Sequence, residues 1–351
     1  MNRTQFKKTK RSKKKTILYS LLILVGSFAI LFTTYGVYLA KKAENAANKS
    51  YQAIESRAKG SDLREEEVKP LTDNVSILFV GIDDSEVRGY GDESSRSDAL
   101  MVATLNNKDK TIKLVSIPRD SYVYVPELGY NDKITHAHAN GGTRVAIETV
   151  EELLDIPIDY YVKMNFFAFI DVVDALDGVT VDVPYDRLEK DENDQYTIQL
   201  KEGRQTLDGR EALALARTRM LDNDIERGKR QQMILEALID KASSASSFTK
   251  YGDVIDAIGS NMKTDLSFDD MKSFFNYISS GMPQVDTLTL SGYDDMSTGV
   301  YYWQLDEESL EETKDLLQVH LELKPGNSNL SEDDSSSQSG DSEYASDDSI
   351  E

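Results

Sequence analysis

The stretch ALMVATLNNKDKTIKLVSIPRD, residues 99–120, decides the fold. Its two apolar, β-branched runs, 99–106 and 111–118, have the length of buried strands, and the NNKDK segment at 106–110 is typical of a hairpin turn. The preceding apolar run, NVSILFVGI at 74–82, predicts a third strand. If these strands pair as antiparallel neighbours, three strand termini lie at the same end of the sheet. They are the end of the first strand, the start of the second and the end of the third.

Charged residues follow this predicted arrangement. Asp83 comes directly after the first strand, and Asp98 comes just before the second. Arg119 and Asp120 follow the third strand, and Arg96 lies two positions before Asp98. The sequence therefore predicts that charges distant along the chain meet at one end of the sheet.

Helical and strand-like patterns alternate in the next part of the chain. Apolar residues at helical spacing predict helices at 143–155, 165–176, 207–217 and 224–244, and short apolar runs predict strands at 178–184 and 196–200. This alternation indicates an α/β fold, with a mixed β-sheet sandwiched by helices. We assign this domain to residues 74–245.

The C-terminal part of the chain has a different character. Residues 246–325 predict a small α+β extension with two helices, a VDTLTL strand and a last helix near 306–322. Residues 326–351 are dominated by Ser, Asp and Glu and contain little apolar material, which predicts a disordered acidic tail.

The N-terminus predicts a membrane anchor. Residues 1–16 form a basic tail with eight Lys/Arg, and residues 17–40 contain no charge. As a helix, such a segment is roughly 36 Å long and can cross a hydrocarbon core of about 30 Å. The positive-inside bias then predicts a single-pass type II protein of the cell membrane, with residues 41–73 as a stalk and an extracellular folded domain. The alternative is a cleaved signal peptide, whose apolar region is shorter, about 7–15 residues.

The charge distribution and composition exclude several classes of protein. The formal net charge is −22, and the eight basic residues at 1–16 balance eight acidic residues at 326–351. The segment between them is acidic, which argues against a nucleic-acid partner. The sequence has no cysteine, which excludes disulfides and thiolate zinc sites.

The predicted helix at 224–244 places polar groups on its apolar side. On a helical wheel, Asp224, Arg227 and Gln231 fall on the same side as Ile234 and its apolar neighbours. Arg230 falls outside this stripe. Burying unpaired charges costs several kcal/mol each, roughly, so these side chains require partners.

Two interpretations of these charges are open. One is an internal network of salt bridges. The other is a phosphate site, because guanidinium groups suit bidentate phosphate contacts and a helix N-terminus near Asp224 favours an anion. The candidate arginines, which outnumber the acids expected to face them, are Arg96, Arg119, Arg217, Arg219 and Arg227, with Arg230 as a further candidate. In this second interpretation, Asp83 and Asp98 hold a divalent cation, preferably Mg²⁺.

The order and spacing of several segments resemble the LytR-CpsA-Psr family of membrane-anchored cell-wall phosphotransferases. The matching segments are ILFVGIDDS, RSDALMVATLN, SIPRDSYV, KITHAHANGG, DGVTVDVP, LDGREALALARTR and DIERGKRQQ, within residues 74–244. The resemblance does not cover residues 248–325 with comparable specificity. It implies transfer of a glycopolymer, of teichoic acid or capsular type, from an undecaprenyl-pyrophosphate carrier to peptidoglycan through a phosphodiester bond.

The resemblance also implies roles for individual residues. Asp83 and Asp98 match the acids that hold Mg²⁺ or Mn²⁺, although the neighbouring Asp84 could replace Asp83. The arginines match those that bind the pyrophosphate, and Asp224 matches the acid of the last motif and is a candidate general base. Gln231 joins them as a substrate-binding candidate. Apolar surface in 159–176 and in the two following helices is expected to form a groove for the polyprenyl chain.

Other functions compete with this assignment. A non-catalytic envelope protein could bind lipid-linked anions or regulate transcription, although the sixteen residues at 1–16 are too few for a DNA-binding domain. A peptidoglycan hydrolase would need a pair of carboxylates or a zinc constellation that the sequence does not suggest. His136 and His138 could share one face of a strand, but a zinc site needs a third ligand.

Overall fold

The computed structural model of the chain describes residues 13–57, 60–82, 95–218, 224–243, 250–279 and 283–325. The helices, numbered in chain order, are α1 Lys13–Ser50, α2 Ile134–Leu154, α3 Phe166–Ala175, α4 Gly209–Arg217, α5 Asp224–Ser243, α6 Tyr251–Asn261, α7 Phe268–Ser279 and α8 Glu307–His320. The first strands are β1 Val75–Ile82, β2 Ser97–Asn106, β3 Thr111–Ile117, β4 Tyr122–Val125, β5 Tyr130–Lys133, β6 Tyr160–Asn165 and β7 Val179–Val183. The remaining strands are β8 Arg187–Lys190, β9 Tyr196–Leu200, β10 Gly203–Leu207, β11 Met262–Thr264, β12 Gln284–Thr289, β13 Gly292–Asp295 and β14 Tyr302–Leu305.

A six-stranded mixed sheet in the order β11-β6-β1-β2-β3-β12 forms the centre of the fold. The pairs β1–β2 and β2–β3 are antiparallel, as the sequence predicts, and residues 107–110 form the turn between β2 and β3. The pairs β1–β6 and β3–β12 are parallel. The α/β fold with a mixed sheet is therefore confirmed.

Both faces of this sheet are covered by helices. Alternate residues of β1, such as Leu78 and Val80, are buried with Val150 of α2 and Leu317 of α8 on one face. Ile77 of β1 packs on the other face with Tyr277 of α7. A further apolar cluster joins α4 and α5 to the strands β7, β9 and β10. The sheet is thus buried on both sides, which explains why its central strands read as nearly continuous apolar runs.

The C-terminal region is not a separate extension, which corrects the predicted boundary at residue 245. Strand β11 pairs with β6 and strand β12 pairs with β3, so residues 262–264 and 284–289 form the two edges of the central sheet. In α8, His320 bridges Thr104 of β2 and Thr111 of β3, with each ring nitrogen 2.8 Å from a threonine hydroxyl oxygen. The two helices, the strand and the last helix predicted in this region are present, but they belong to the main domain.

The segment predicted as a stalk also packs against the domain. Helix α1 extends to Ser50, and beyond it Arg57 forms a bidentate pair with Glu151 of α2, with N–O distances of 2.8 and 3.0 Å. Arg64 binds both carboxylate oxygens of Asp159 in the same way, at 2.9 and 2.8 Å. Arg57 and Arg64 are therefore both fixed to the folded domain, and the structured region begins before residue 74.

The predicted transmembrane segment 17–40 lies in helix α1. The side chains of residues 13–23, 25 and 29 are outside the described part of the structure, as are residues 1–12. Among the residues that the structure describes, no helix is long and apolar enough to cross a membrane.

Helix α2 differs in one respect from the prediction. It starts at Ile134, earlier than the predicted residue 143, and is kinked at Gly141 and Gly142, where Gly142 has a φ of 65°. That backbone conformation suits glycine because other residues meet steric repulsion there. His136 and His138 consequently lie on a helix before the kink, and the strand face considered for them does not exist.

Helix α5 approaches the sheet closely at one point. A Cβ atom on Gly228 would lie only 2.6 Å from Ser116 Oγ in β3, so no larger residue fits there without a shift. This contact places the first turns of α5 beside the end of β3, where Pro118 and Arg119 follow.

Candidate active site

Part of the charge cluster predicted at the end of the sheet is present among the described residues. The register pairs Ile82 with Ser97 and Leu100 with Ile117, which brings Asp98 and Arg119 to the same end. Their side chains form an ion pair in which Arg119 Nη1 donates to Asp98 Oδ1. Both are mostly buried, with 13% and 18% of the side chains exposed.

A cavity of about 490 Å³ opens beside this ion pair. Arg119, Arg217 and Arg227 contribute cationic groups to its lining, together with Asp98. The remaining wall is largely apolar, and its aromatic and aliphatic side chains include Phe79, Met101, Phe166, Phe169, Leu235 and Leu238. The cavity therefore combines an anion-binding region with an apolar interior, contributed by β1, β2, α3 and α5.

Helix α5 contributes two of the residues predicted to point inward. Arg227 is 4% exposed and lines the cavity. Gln231 also lines it, and its side-chain nitrogen donates to Ala216 O at 3.2 Å. Helix α5 begins at Asp224, but the side chain of Asp224 lies outside the described residues.

Arg230 corrects the helical-wheel prediction. The prediction placed this residue outside the buried stripe, yet it is only 5% exposed. Its Nε donates to Leu215 O at 3.2 Å, and its Nη2 donates to Thr218 O at 2.9 Å. The guanidinium thus binds carbonyl groups at the C-terminal end of α4, where a positive charge is favourable. Arg230 is a structural residue, and it is not part of the cavity lining.

Arg217 is held at the cavity by groups that the sequence analysis did not identify. Its Nη1 donates to Asp191 O at 2.9 Å, and its Nη2 donates to Asp194 Oδ1 at 3.1 Å. The guanidinium carbon lies 4.3 Å from the centre of the Phe166 ring, in a cation–π contact. These contacts orient the side chain before any ligand arrives.

The β8–β9 hairpin supplies this support and forms a wall of the cavity. Glu189, Lys190, Asp194 and Tyr196 all line it. The dense run of charges at 186–194, between two short strand-like segments, was the available signal in the sequence. The same pattern is typical of a solvated turn, so by itself it does not indicate a site.

Asp191 anchors the turn of this hairpin. Burial acts to raise the pKa of Asp191, but hydrogen bonds from Thr197 and from the backbone of Gln195 outweigh it and lower that pKa below its ordinary value. The carboxylate therefore stays ionised and also pairs with Arg210 of α4 at 3.3 Å. The hairpin is fixed to α4 next to Arg217.

A network of charged side chains leads away from the cavity. Arg119 Nε lies 3.5 Å from Asp120 Oδ2, and Lys133 Nζ lies 2.7 Å from Asp120 Oδ1. Lys133 Nζ is also 5.6 Å from the centres of the Tyr301 and Tyr302 rings. This network connects Asp98 and Arg119 to the β4–β5 hairpin.

The other predicted site residues are placed as follows. Arg96 is exposed and is not among the residues that line the cavity. Asp83, Asp84 and Arg219 lie outside the described residues. The structure thus brings together Asp98, Arg119, Arg217, Arg227 and Gln231.

The donor chemistry at Asp98 fits a hard divalent cation, because its carboxylate lines the cavity beside the cationic groups and carboxylate oxygens are the ligands Mg²⁺ prefers. Within the described ranges, no group of three or more acidic, histidine or cysteine side chains is arranged to hold a metal ion. His136 instead binds Asp132 at 2.8 Å, and His138 donates to Ser95 O at 2.8 Å.

Comparisons with known proteins agree with this geometry. The model of the LytR_cpsA_psr family matches residues 37–319. The polyisoprenyl-teichoic acid–peptidoglycan teichoic acid transferase TagT of Bacillus subtilis (strain 168) is 42% identical over 326 residues, covering 91% of this chain and 98% of TagT.

Solved structures give the same result. A structure of TagT bound to LI-WTA superposes with a TM-score of 0.66 at 42% identity, covering 76% of this chain and 98% of that one. A structure of TagT with bound octaprenyl pyrophosphate lipid superposes with a TM-score of 0.62 at 40% identity, with the same coverage. The family match spans both the central sheet and the cavity residues, so the chain belongs to the LytR_cpsA_psr family.

Proposed function

We propose that this chain transfers a glycopolymer from a polyprenyl-pyrophosphate carrier to peptidoglycan and forms a phosphodiester bond. The observation that carries the proposal is the cavity, which joins three arginines to an apolar interior. A polyprenyl pyrophosphate matches this arrangement, because its pyrophosphate is anionic and the isoprene units that follow it are apolar. The name of the relative TagT, a teichoic acid transferase, favours teichoic acid over a capsular polymer as the donor.

The size of the cavity agrees with this ligand. Its volume of about 490 Å³ falls within the range of about 300–1,000 Å³ that is common for small-molecule sites. The cavity would hold the pyrophosphate and the proximal part of the lipid. The distal isoprene units would extend beyond it.

The reaction would proceed by attack of a sugar hydroxyl on the phosphorus that carries the polymer. A new P–O bond forms, the bond to the bridging oxygen breaks, and polyprenyl phosphate leaves with the electron pair. Phosphoryl transfer depends mainly on positioning and charge neutralisation, and preorganised guanidinium groups supply both. Arg119, Arg217 and Arg227 are the described groups suited to this role, and we assign Arg219 to the same site on the family motif. Arg96 is exposed and does not line the cavity, so it is not assigned to this group.

A divalent cation, Mg²⁺ or Mn²⁺, is proposed at Asp98 and Asp83, where it would neutralise charge on the pyrophosphate oxygens. The carboxylate of Asp98 also accepts from Arg119, which orients both groups at the cavity lining. Asp224 is our candidate to accept the proton of the attacking hydroxyl.

The location is also part of the proposal. We place the domain outside the cytoplasm, on a single-pass type II anchor formed by residues 17–40. In support, Leu24, Phe28, Ile30, Leu31 and Phe32 of α1 are each at least 60% exposed, as expected for side chains that face lipid. The basic residues at 1–16 favour a cytoplasmic N-terminus.

Transfer can be measured with the full-length chain in detergent, a synthetic polyprenyl-pyrophosphate-linked teichoic acid precursor and peptidoglycan oligomers. Wild-type protein should yield a phosphodiester-linked product and polyprenyl phosphate. Arg119→Lys keeps the charge but loses the planar fork, so the rate should fall by about 10²–10³ if the lost contact resembles a preorganised transition-state donor.

Lys190→Met is not a suitable control for this experiment, because Lys190 lines the cavity. Lys272→Met is suitable, since Lys272 is exposed on α7 and contacts Asp269 and Phe268. If Arg119→Lys transfers polymer at the wild-type rate while folded, the arginines form a structural network. Lipid binding without any transfer by the wild-type protein would instead support a non-catalytic envelope protein.

A further inference from the structure

A surface of tyrosines lies at the end of the charge network that leaves the cavity. The outer faces of the β4–β5 and β13–β14 hairpins carry Tyr122, Tyr124, Tyr293 and Tyr302, and we call these four residues the tyrosine platform. Tyr124 is 45% exposed and Tyr293 is 63% exposed. None of the residues to which the proposed transfer reaction assigns a role lies on this surface.

The strand register places all four rings on one side. Tyr122 and Tyr124 are two residues apart in β4 and therefore share a face. In the other hairpin, Tyr293 lies opposite Gln304, which shares its face with Tyr302. A parallel bridge between Ser121 and Trp303 joins the hairpins edge to edge.

Contacts between the hairpins confirm that the face is continuous. The Tyr122 and Tyr302 rings pack edge to face, with centroids 4.7 Å apart. Trp303, between Tyr302 and Gln304, points to the opposite side and is only 3% exposed. The buried Trp303 and Ser121 thus form the underside, and the tyrosines form the outer surface.

Polar side chains are interspersed among these rings. Lys133 lies opposite Tyr122 in the register, and Asn131 lies opposite Tyr124. Gln304 donates to Asp295 at 3.1 Å. A surface of aromatic rings with amide, carboxylate and ammonium groups between them suits a ligand that offers C–H faces and hydroxyl groups together, as pyranose rings do.

A chain of side-chain contacts connects the platform to the cavity lining. Lys133 contacts both the Tyr302 ring and Asp120, and Asp120 contacts Arg119 at the cavity lining. Because the apolar interior of the cavity suits the lipid of the donor, the attacking sugar hydroxyl must approach from the protein surface. The tyrosine platform is a surface that leads to Arg119.

We propose that the tyrosine platform binds the acceptor glycan, a chain of β-linked amino sugars, and directs one of its hydroxyl groups toward Arg119 and Asp98. The sugar rings stack on Tyr122, Tyr302 and Tyr293, and Lys133 and Gln304 bind their hydroxyl or amide groups. This inference rests on the proposed transfer reaction.

The test measures sugar binding separately from transfer. Full-length protein in detergent is titrated with a peptidoglycan tetrasaccharide of alternating N-acetylglucosamine and N-acetylmuramic acid, by calorimetry. Tyr302→Ala and Tyr293→Ala should each weaken binding by about five- to tenfold, the range expected for loss of one aromatic contact. Tyr302→Phe keeps the ring and should bind within about twofold of wild type.

Tyr51→Ala is the matched control, because Tyr51 is 49% exposed but lies beside edge strand β11, at the other side of the sheet. It should leave binding unchanged. In the transfer assay, Tyr302→Ala should raise KM for the acceptor by the same factor as it weakens binding, and leave kcat and retained polyprenyl lipid unchanged.

The outcomes separate this inference from the proposed function. Wild-type transfer with no effect of Tyr302→Ala or Tyr293→Ala on tetrasaccharide binding overturns the platform and leaves the transferase intact. Tetrasaccharide binding that depends on these tyrosines, without any transfer, supports the platform and overturns the proposed reaction. Platform variants that bind the sugar normally but lose a protein partner would also overturn the inference.

Discussion

Replacement of Arg230 by methionine should destabilise the domain while leaving the chemistry of the cavity in place. Methionine preserves most of the apolar stem of Arg230 but removes the donors to Leu215 O and Thr218 O. Each hydrogen bond to a charged group contributes about 1.5–3 kcal/mol, and relief of guanidinium desolvation offsets part of the loss. We therefore expect a net loss of about 3 kcal/mol in the free energy of unfolding.

Thermal denaturation followed by the fluorescence of Trp303, the single tryptophan, measures this loss. A loss of about 3 kcal/mol corresponds to a fall in Tm of roughly 6–12 °C for a domain of this size. The adjacent Lys229→Met is the control, because Lys229 is 57% exposed on its side chain and pairs only locally with Glu226 among the contacts described. Its effect should stay below about 0.5 kcal/mol.

Equal Tm values for Arg230→Met and Lys229→Met would refute this reasoning and restore the helical-wheel placement of Arg230. Below its unfolding transition, Arg230→Met should retain transfer activity within about threefold of wild type, because the residue does not line the cavity. Loss of activity in a fully folded Arg230→Met protein would instead give this arginine a direct role at the ligand.

The remaining predictions concern pH dependence and topology. Burial raises the pKa of Asp265 to about 6, so stability should fall as pH rises from about 4 to 6, and Asp265→Asn should remove this loss in urea titrations. Burial and the nearby Lys113 lower the pKa of His320 to about 4, so stability should fall as pH drops from about 6.5 to 4. His320→Gln should abolish this dependence of stability on pH. An unchanged dependence in the variant would contradict the role given to His320. A reporter active only outside the cytoplasm should work when fused after residue 325 and fail when fused before residue 17, and the reverse pattern would exclude the proposed anchor orientation.

The sequence was most informative where local pattern and pairing coincide. A short turn at 107–110 forces β2 and β3 to be neighbours, so the meeting of Asp98 and Arg119 followed from strand direction alone. The fold class followed in the same way, from alternating strand and helix patterns.

Arg230 was misplaced because a helical wheel assumes one buried side. Helix α5 contacts β3 and β12 of the sheet, and also α4 and β7. A helix covered by two layers buries residues around more than half of its circumference, and polar ones remain if they meet partners. Residue periodicity carries no information about that second layer.

The edge strands were assigned to a separate unit for a related reason. A pattern such as VDTLTL predicts a strand but does not identify its neighbour, and β3 pairs with β12 across more than 160 residues of sequence. The composition of the β8–β9 hairpin is likewise typical of a surface turn. Only the position of α4 makes the hairpin a wall of the cavity.

The two edge strands of the central sheet have a consequence for how the chain acquires its structure. During synthesis, β6 and β3 each present an unpaired backbone edge until β11 and β12 emerge, and such edges are templates for intermolecular pairing. The central sheet consequently cannot be completed until residues 284–289 have been synthesised, and we expect long-range contacts to limit the rate of folding. A nascent chain stopped before residue 284 should remain protease-sensitive and dependent on chaperones, although it already contains every residue that we place at the cavity.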